Sequence, residues 1–126
     1  MPIRSSQDLV LVRQAVRTWT AELKFSLVEQ TKMVTAASEL ARNTLDYGKG
    51  GQVTFQVLQD GLRKGLRLSF EDQGPGIPDI ELALRDGYTT GGGMGLGLGG
   101  ARRLVNEFDI VSKVGEGTRV TVTRWK

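Results

Sequence analysis

A two-layer α/β sandwich, built on a mixed sheet with its helices on one face, follows from three features of this 126-residue chain. Two stretches with helical spacing stand at the front, over 8–23 and 26–47. Two pairs of strand-like runs come later, over 52–70 and 109–125, each folded about a turn. Between them, ten of the 17 glycines crowd into 74–100 and run into a third apolar-periodic stretch. The order ααββ(α)αββ buries the apolar side of every element if the helices form one layer over a sheet.

The first helix is expected over 8–23, because Leu9, Val12, Ala15, Val16, Trp19 and Leu23 recur at helical spacing as one stripe. Asp8 or Ser6 is the expected cap. Arg13 and Arg17 project together, and a solvated face is the stronger reading for them than a docking site. Ser26-Leu-Val-Glu29 is a capping-box pattern that opens a longer helix to about Tyr47, with Gly48 as its stop. Val34, Ala37, Leu40, Ala41 and Leu45 keep the helical period there. Glu39 and Asn43 lie one turn apart on one face of this helix. Such a pair serves either as base and metal ligand or as two solvated polar residues, and by itself it favours the second.

Gly48-Lys-Gly-Gly51 reads as a turn. Gln52–Leu58 and Leu66–Phe70 read as strands, with turn residues over 59–65 making them a hairpin. The second strand carries Asp72 to its carboxyl end, where layered α/β proteins place ligand-binding residues. Pro78-Asp79 opens a short helix to about Arg85, capped by Asp79. A glycine loop over 86–95 precedes a helix expected from Leu96 to Phe108. Asp109–Val114 and Arg119–Trp125 form the last hairpin about Gly115-Glu-Gly117, and Val120 and Val122 alternate with Thr121 and Thr123 as on a sheet covered on one face. A single domain over residues 1–126 is expected, with no repeat or linker.

Composition excludes several chemistries. The chain has no cysteine and no histidine, so it assembles no disulfide frame, thiolate metal site, Ser-His-Asp triad or phosphohistidine relay of its own. Acid–base work falls to Asp, Glu, Lys or Tyr. A net charge of +3, with Lys and Arg scattered, does not make the basic stripe of a nucleic-acid binder, so no nucleic-acid partner is expected. No apolar run approaches the length of a membrane span, and no signal-peptide core follows Met1, so a cytoplasmic protein without a membrane partner is expected.

Glycine-rich phosphate motifs are of several kinds. The Walker A pattern needs Gly-x4-Gly-Lys-Ser/Thr, and no such run exists. Gly-x-Gly-x-x-Gly occurs at Gly95, Gly97 and Gly100, but a glycine-threonine loop precedes it instead of a strand, and 26 residues remain after it, too few for a dinucleotide sheet. A different combination is more specific. Asp72-Gln-Gly74-Pro-Gly76 follows a strand, a glycine loop enters a helix about 20 residues later, Glu39 and Asn43 lie upstream, and Gly117-Thr118 lies downstream. A pocketed carboxylate can accept a hydrogen bond from a purine amine. Gly74 and Gly76 let the backbone pass close to base and sugar. Amides entering a helix suit phosphates, and the Asn43 amide oxygen suits the Mg²⁺ that bridges them.

This arrangement resembles the GHKL superfamily of ATPases and kinases, which has the Bergerat nucleotide-binding fold, along the chain from Leu9 onward. Ser-Glu-Leu-Ala-Arg-Asn (38–43) is similar to the bacterial anti-sigma-factor serine kinases. Glu-Asp-Gln-Gly-Pro-Gly-Ile (71–77), Asp-Gly-Tyr-Thr-Thr-Gly-Gly-Gly-Met-Gly-Leu-Gly-Leu (86–98) and Gly-Glu-Gly-Thr (115–118) resemble the switch kinases of stressosomes within that group. The resemblance implies an ATP- and Mg²⁺-dependent serine/threonine protein kinase. It implies Asn43 as the Mg²⁺ ligand and Glu39 as the group that orients or deprotonates the acceptor hydroxyl. Asp72 would read the adenine amine, with Gly74 and Gly76 as its box, Gly93, Gly95 and Gly97 as the second box, and Thr118 near the base. The implied partners are a STAS-domain scaffold or antagonist as phosphoacceptor and a serine phosphatase activated by binding. A sigma factor ranks below these; the alternatives are a sigma-binding anti-sigma factor that phosphorylates its antagonist, a nucleotide-gated binding module without turnover and, last, a detached histidine-kinase catalytic domain.

Overall fold

The computed structural model describes residues 1–84 and 97–126. The chain runs β1 (Pro2–Ile3), α1 (Ser6–Glu22), α2 (Leu27–Asp46), β2 (Gly51–Asp60), β3 (Arg63–Asp72), α3 (Ile80–Ala83), α4 (Gly97–Arg103), β4 (Glu107–Lys113) and β5 (Gly117–Trp125). The strands form one sheet in the order β1-β2-β3-β5-β4. The expected sandwich with helices on one face is what forms, but every described strand pairing is antiparallel, so the sheet is not mixed. The connection through α3 and α4 does return the chain so that β4 runs parallel to β3. The two never pair, because β5 folds back from β4 and inserts between them.

Residue alternation decides which face the helices cover. Leu66, Leu68 and Phe70 of β3 and Val120 and Val122 of β5 are buried against Val12 and Val16 of α1, Met33, Ala37, Leu40 and Ala41 of α2, and Leu98 and Ala101 of α4. The alanines on α2 leave room for it to approach the sheet closely. Glu71, Arg119, Glu107 and Asp109 lie on the opposite face and are exposed. Thr123 shares that polar face yet is buried; Arg67 Nε donates to its hydroxyl at 3.0 Å. Trp19, at the rim of the α1 stripe, stacks on Phe55 of β2 with centroids 6.2 Å apart.

Several boundaries differ from expectation for local reasons. β1 is too short for any period to show; it adds to β2 through the pairs Pro2↔Gln52 and Ile3↔Gly51. The β2–β3 hairpin extends to Asp60 and Arg63 because its tip projects past the helix layer, where both faces are wet and hydrophobic alternation lapses. The helix expected to reach Phe108 ends at Arg103. Arg124 Nη1 donates to the Leu104 carbonyl at 2.9 Å and the Asn106 amide donates to the Thr123 carbonyl at 2.9 Å, which draws the chain into β4. Phe108 and Ile110 then turn to the core at strand spacing, opposite Val122 and Val120. At the start of α1, Ser5 is the N-cap without a side-chain cap bond, and Asp8 instead accepts from the Arg4 amide at 2.8 Å. No helix among the described residues is long and apolar enough to cross a membrane.

The start of α2 is as its sequence pattern requires. Ser26 Oγ accepts from the Glu29 amide at 3.1 Å, and Glu29 Oε1 accepts from the Ser26 amide at 3.0 Å. The backbone hydrogen bond from Ser26 is the main reason the Glu29 carboxyl lies below its ordinary pKa. A carboxyl with a depressed folded pKa stabilises above its unfolded pKa, and the benefit fades as pH falls through the folded value. Replacing Ser26→Ala should lower stability by about 1 kcal/mol in urea titrations at neutral pH. The deficit should shrink in acid, because the Ser26 side chain also helps hold the Glu29 carboxylate, and protonation removes that part of the stabilisation from the parent alone.

Candidate functional site

The last two turns of α2 point Asn43, Thr44 and Tyr47 at the end of β3, where Asp72 sits. Together with Ile77, Pro78 and Asp79, the short helix α3, the first residues of α4 and Thr118 of β5, they enclose a cavity of about 220 Å³. Its walls are largely apolar, from Leu40, Phe70, Ile77, Leu82, Leu98 and Val120, with few polar groups turned inward. A small, largely apolar slot with the Asp72 carboxylate among its few polar groups suits a flat, partly polar ring.

Asp72 is held rather than merely placed. Its Oδ1 accepts from the Gly74 amide at 2.9 Å, and the Thr118 amide also donates to the carboxylate. Thr118 is its ladder partner across β3 and β5. Burial pushes the Asp72 carboxyl above its ordinary pKa, and the two amides pull partly the other way. The net direction is up because water is withdrawn from the charged form more than the amides replace it.

The 72–77 segment is tied on both sides. On one side, Tyr47 donates its hydroxyl to the Gly76 carbonyl at 2.9 Å. Gly48 lies against the Asp72 side chain and against Gly74, so a Cβ at Gly48 would overlap the Asp72 carboxylate. On the other side, the Gly115 amide donates to the Pro75 carbonyl at 2.8 Å and the Ile77 amide donates to Ser112 Oγ at 2.7 Å. Gly76 itself has φ +78° and abuts the Lys113 carbonyl, so neither its conformation nor its space accepts a side chain. Asp79 caps α3 by accepting from the Leu82 amide at 3.0 Å, as its sequence position suggested.

Of the residues singled out from sequence, Asn43, Asp72, Gly97 and Thr118 line the cavity together. Gly74 and Gly76 form the turn beside it. Gly93 and Gly95 lie outside the described residues, as does the loop expected over 86–95. Glu39 stands half-buried one turn before Asn43 on α2 and is not part of the cavity lining. Sequence reading missed Tyr47, Gly48 and Ser112 as parts of the site. Tyr47 had a usable signal, since it follows Asn43 by one helical turn. Gly48 and Ser112 had none, because their contacts with the 72–77 segment join residues distant in sequence.

Comparisons with known proteins show the family and the fold. Residues 28–126 match the profile of the family described as histidine kinase-, DNA gyrase B- and HSP90-like ATPase. The chain is 45% identical over 123 residues to the serine/threonine-protein kinase RsbT of Bacillus subtilis, covering 98% of this chain and 92% of that one. It is 30% identical over 126 residues to the anti-sigma F factor of Anoxybacillus flavithermus, covering 94% and 85%. Among solved structures, the RsbU and RsbW domains of a Mycobacterium tuberculosis protein superpose with a TM-score of 0.67 at 26% identity, covering 98% of this chain and 31% of that one.

Because its carboxyl is raised by burial, Asp72 destabilises the fold as pH rises through the ordinary carboxylate range towards its raised pKa. An Asp72→Asn chain keeps an oxygen for the Gly74 and Thr118 amides without the buried charge. Its thermal midpoint at pH 7 should equal or exceed that of the parent, with the difference vanishing in acid. A lower midpoint at pH 7 would contradict this account of the carboxylate.

Proposed function

The chain belongs to the histidine kinase-, DNA gyrase B- and HSP90-like ATPases and, within them, to the RsbT-like serine/threonine-protein kinases, and on that basis we propose how its residues divide the work. The nucleotide's adenine enters the apolar slot and Asp72 accepts from its exocyclic amine. The observation that carries this reading is the half-buried Asp72 carboxylate at the end of that slot, with Oδ1 engaged by the Gly74 amide. Leu40, Phe70, Ile77 and Leu98 exclude water from the ring, which strengthens the polar contact at its edge.

Mg²⁺ is the implied metal, and it supplies charge neutralisation between the phosphate oxygens. The chemistry of the site fits it: Mg²⁺ prefers oxygen donors, keeps several waters and is held largely through phosphates, so few protein oxygens are needed. Asn43, on the cavity wall, offers the protein oxygen. Gly93, Gly95 and Gly97 are assigned to the phosphates, with Gly97 opening α4 at the cavity. Glu39, one turn from Asn43 and outside the nucleotide slot, is assigned to the acceptor: its carboxylate orients the incoming hydroxyl and takes its proton as the bond to the γ-phosphorus forms and the bond from that phosphorus to the departing ADP oxygen breaks. Thr118 completes the base end of the site beside Asp72.

The acceptor is a serine or threonine on a STAS-domain scaffold or antagonist in a sigma-factor pathway, and the freed kinase activates a partner serine phosphatase in the cytoplasm. Similarity to RsbT over nearly the whole chain supports this reading. A second reading, an anti-sigma factor that binds a sigma subunit as well as phosphorylating its antagonist, is favoured by the similarity to the anti-sigma F factor. Co-purification with a sigma subunit would select it.

The test is transfer of label from γ-labelled ATP with Mg²⁺ to a purified STAS partner. Glu39→Gln should lower kcat by roughly 10²–10⁴ with little change in the KM for ATP, the signature of a group that acts on the acceptor. Asp72→Asn should instead weaken ATP binding by about tenfold or more in calorimetry, since it turns an N–H towards the adenine amine. Full-rate transfer by Glu39→Gln would remove that residue from the chemistry, and an unchanged ATP affinity in Asp72→Asn would remove adenine from the slot.

A further inference from the structure

The end of the molecule remote from the cavity carries apolar side chains that the core does not use. Leu62 is fully exposed, Leu27 is 79% exposed and Val28 is 64% exposed. Val57, on the helix side of β2, is exposed as well. Three sets of contacts bring these positions to one end. The Lys126 amide donates to the Lys64 carbonyl at 2.9 Å, and the Arg63 guanidinium lies 4.6 Å from the centre of the Trp125 ring, so the tip of the β2–β3 hairpin stands beside the end of β5. The Arg124 and Lys126 charges reach the Glu29 carboxylate, so the same end of β5 lies near the first turn of α2. Val57, Leu66 and Arg124 are successive ladder partners in one row across β2, β3 and β5. Local structure does not ask for these apolar residues. A two-residue hairpin turn favours glycine, asparagine, aspartate or serine, yet leucine follows Gly61 in this one. The first turn of a helix favours acids, yet α2 opens on Leu27 and Val28.

The charge around them is one-sided. Lys24, Lys32, Arg63, Lys64 and Lys126 are exposed at this end, and among the described residues none of them forms an ion pair. The acids there are Glu22, Asp60 and Glu29, and Glu29 is engaged by the Ser26 amide. We propose that this end is a docking surface for an acidic amphipathic helix of a partner protein that the kinase binds without phosphorylating, with Leu27, Val28 and Leu62 meeting its apolar face and the lysines pairing its acids. Exposed leucines edged by unpaired cations are the complement of such a helix in both apolar area and charge. Position separates this surface from the chemistry. Val28 precedes Asn43 along α2 by about 22 Å of helix axis. A partner held there leaves the cavity open to nucleotide. The inference rests on the proposed function, and of the two partners named there it places the phosphatase, not the phosphoacceptor, at this end.

The experiment uses the full chain with a purified serine phosphatase partner and a purified STAS partner. It compares the parent with a double variant, Leu27→Glu and Leu62→Ser, and with Lys64→Glu, all at exposed positions. Thermal midpoints, Mg-ATP dissociation constants and label transfer to the STAS partner should stay at parental values. The dissociation constant for the phosphatase should rise by about tenfold or more in the double variant. In Lys64→Glu it should rise by about fivefold at low ionic strength, and its salt dependence should weaken. Parental phosphatase affinity in both variants overturns the docking surface and leaves the proposed function standing. A parent that does not bind the phosphatase overturns the partner assignment on which the inference rests. Loss of transfer to the STAS partner with phosphatase binding kept gives this end to the phosphoacceptor, and overturns the proposal. Binding of the parent to phosphatidylglycerol vesicles that the double variant loses, with phosphatase binding kept, gives it to an anionic membrane and overturns the proposal too.

Discussion

The Asp72 carboxylate sits half out of water at the end of a strand, and the surrounding structure keeps it there. An isolated carboxylate would escape burial by turning outward or by protonation. Here the Gly74 and Thr118 amides replace part of the lost hydration and fix the direction of the free oxygen. That arrangement requires the chain after Asp72 to turn immediately and pass between the end of α2 and the β4–β5 hairpin. The glycines at 48, 74 and 76 follow from this crowding, since each would place a Cβ inside a neighbouring chain. A burial-raised acid that the fold tolerates at some loss of stability is the pattern expected at a binding site rather than in a structural core.

Sheet order makes this possible. Because β5 inserts between β3 and β4, Thr118 lies directly across from Asp72, and Ser112 lies across from Thr118. Asp72 joins the hairpin pair Ser112 and Thr118, some 40 positions on, in one row beneath the cavity. The same insertion lets the turn of the last hairpin reach Pro75 and Ile77 and brace the glycine segment from below, while Tyr47 braces it from the helix side. Glu39 is apart from this row, on the wall of α2.

Much of the fold was legible in local pattern. The Ser26–Glu29 box, the Asp79 cap, the apolar stripe of α1 and the alternation of Val120 with Val122 each involve residues within one or two turns or pleats, so spacing reports them directly. Errors came where tertiary contacts overrule periodicity. Residues 104–108 continue a helical apolar pattern, yet hydrogen bonds to Leu104 and from Asn106 pull them into the sheet. The β2–β3 tip lost its alternation because it is mostly exposed and its ring contact, Arg63 over Trp125, joins residues 62 positions apart. The mixed sheet was a sound inference from the crossover, and the strand that intervened left no mark in any one segment.

For the site, residue type, chain position and the family resemblance named Asn43, Asp72, Gly74, Gly76 and Thr118 as candidates, because a carboxylate, an amide and tight glycine turns are chemical requirements visible in one dimension. Convergence is another matter. Whether those groups face one cavity and how far Asp72 is withdrawn from water depend on strand register and on contacts between separate elements, and which hydroxyl stands behind Thr118 depends on the register of the last hairpin. Local propensity acts within a few residues, whereas hydrogen-bond geometry and desolvation are properties of what the folded chain brings alongside. Composition and spacing thus specified the chemistry on offer, and packing across the sheet specified where that chemistry meets.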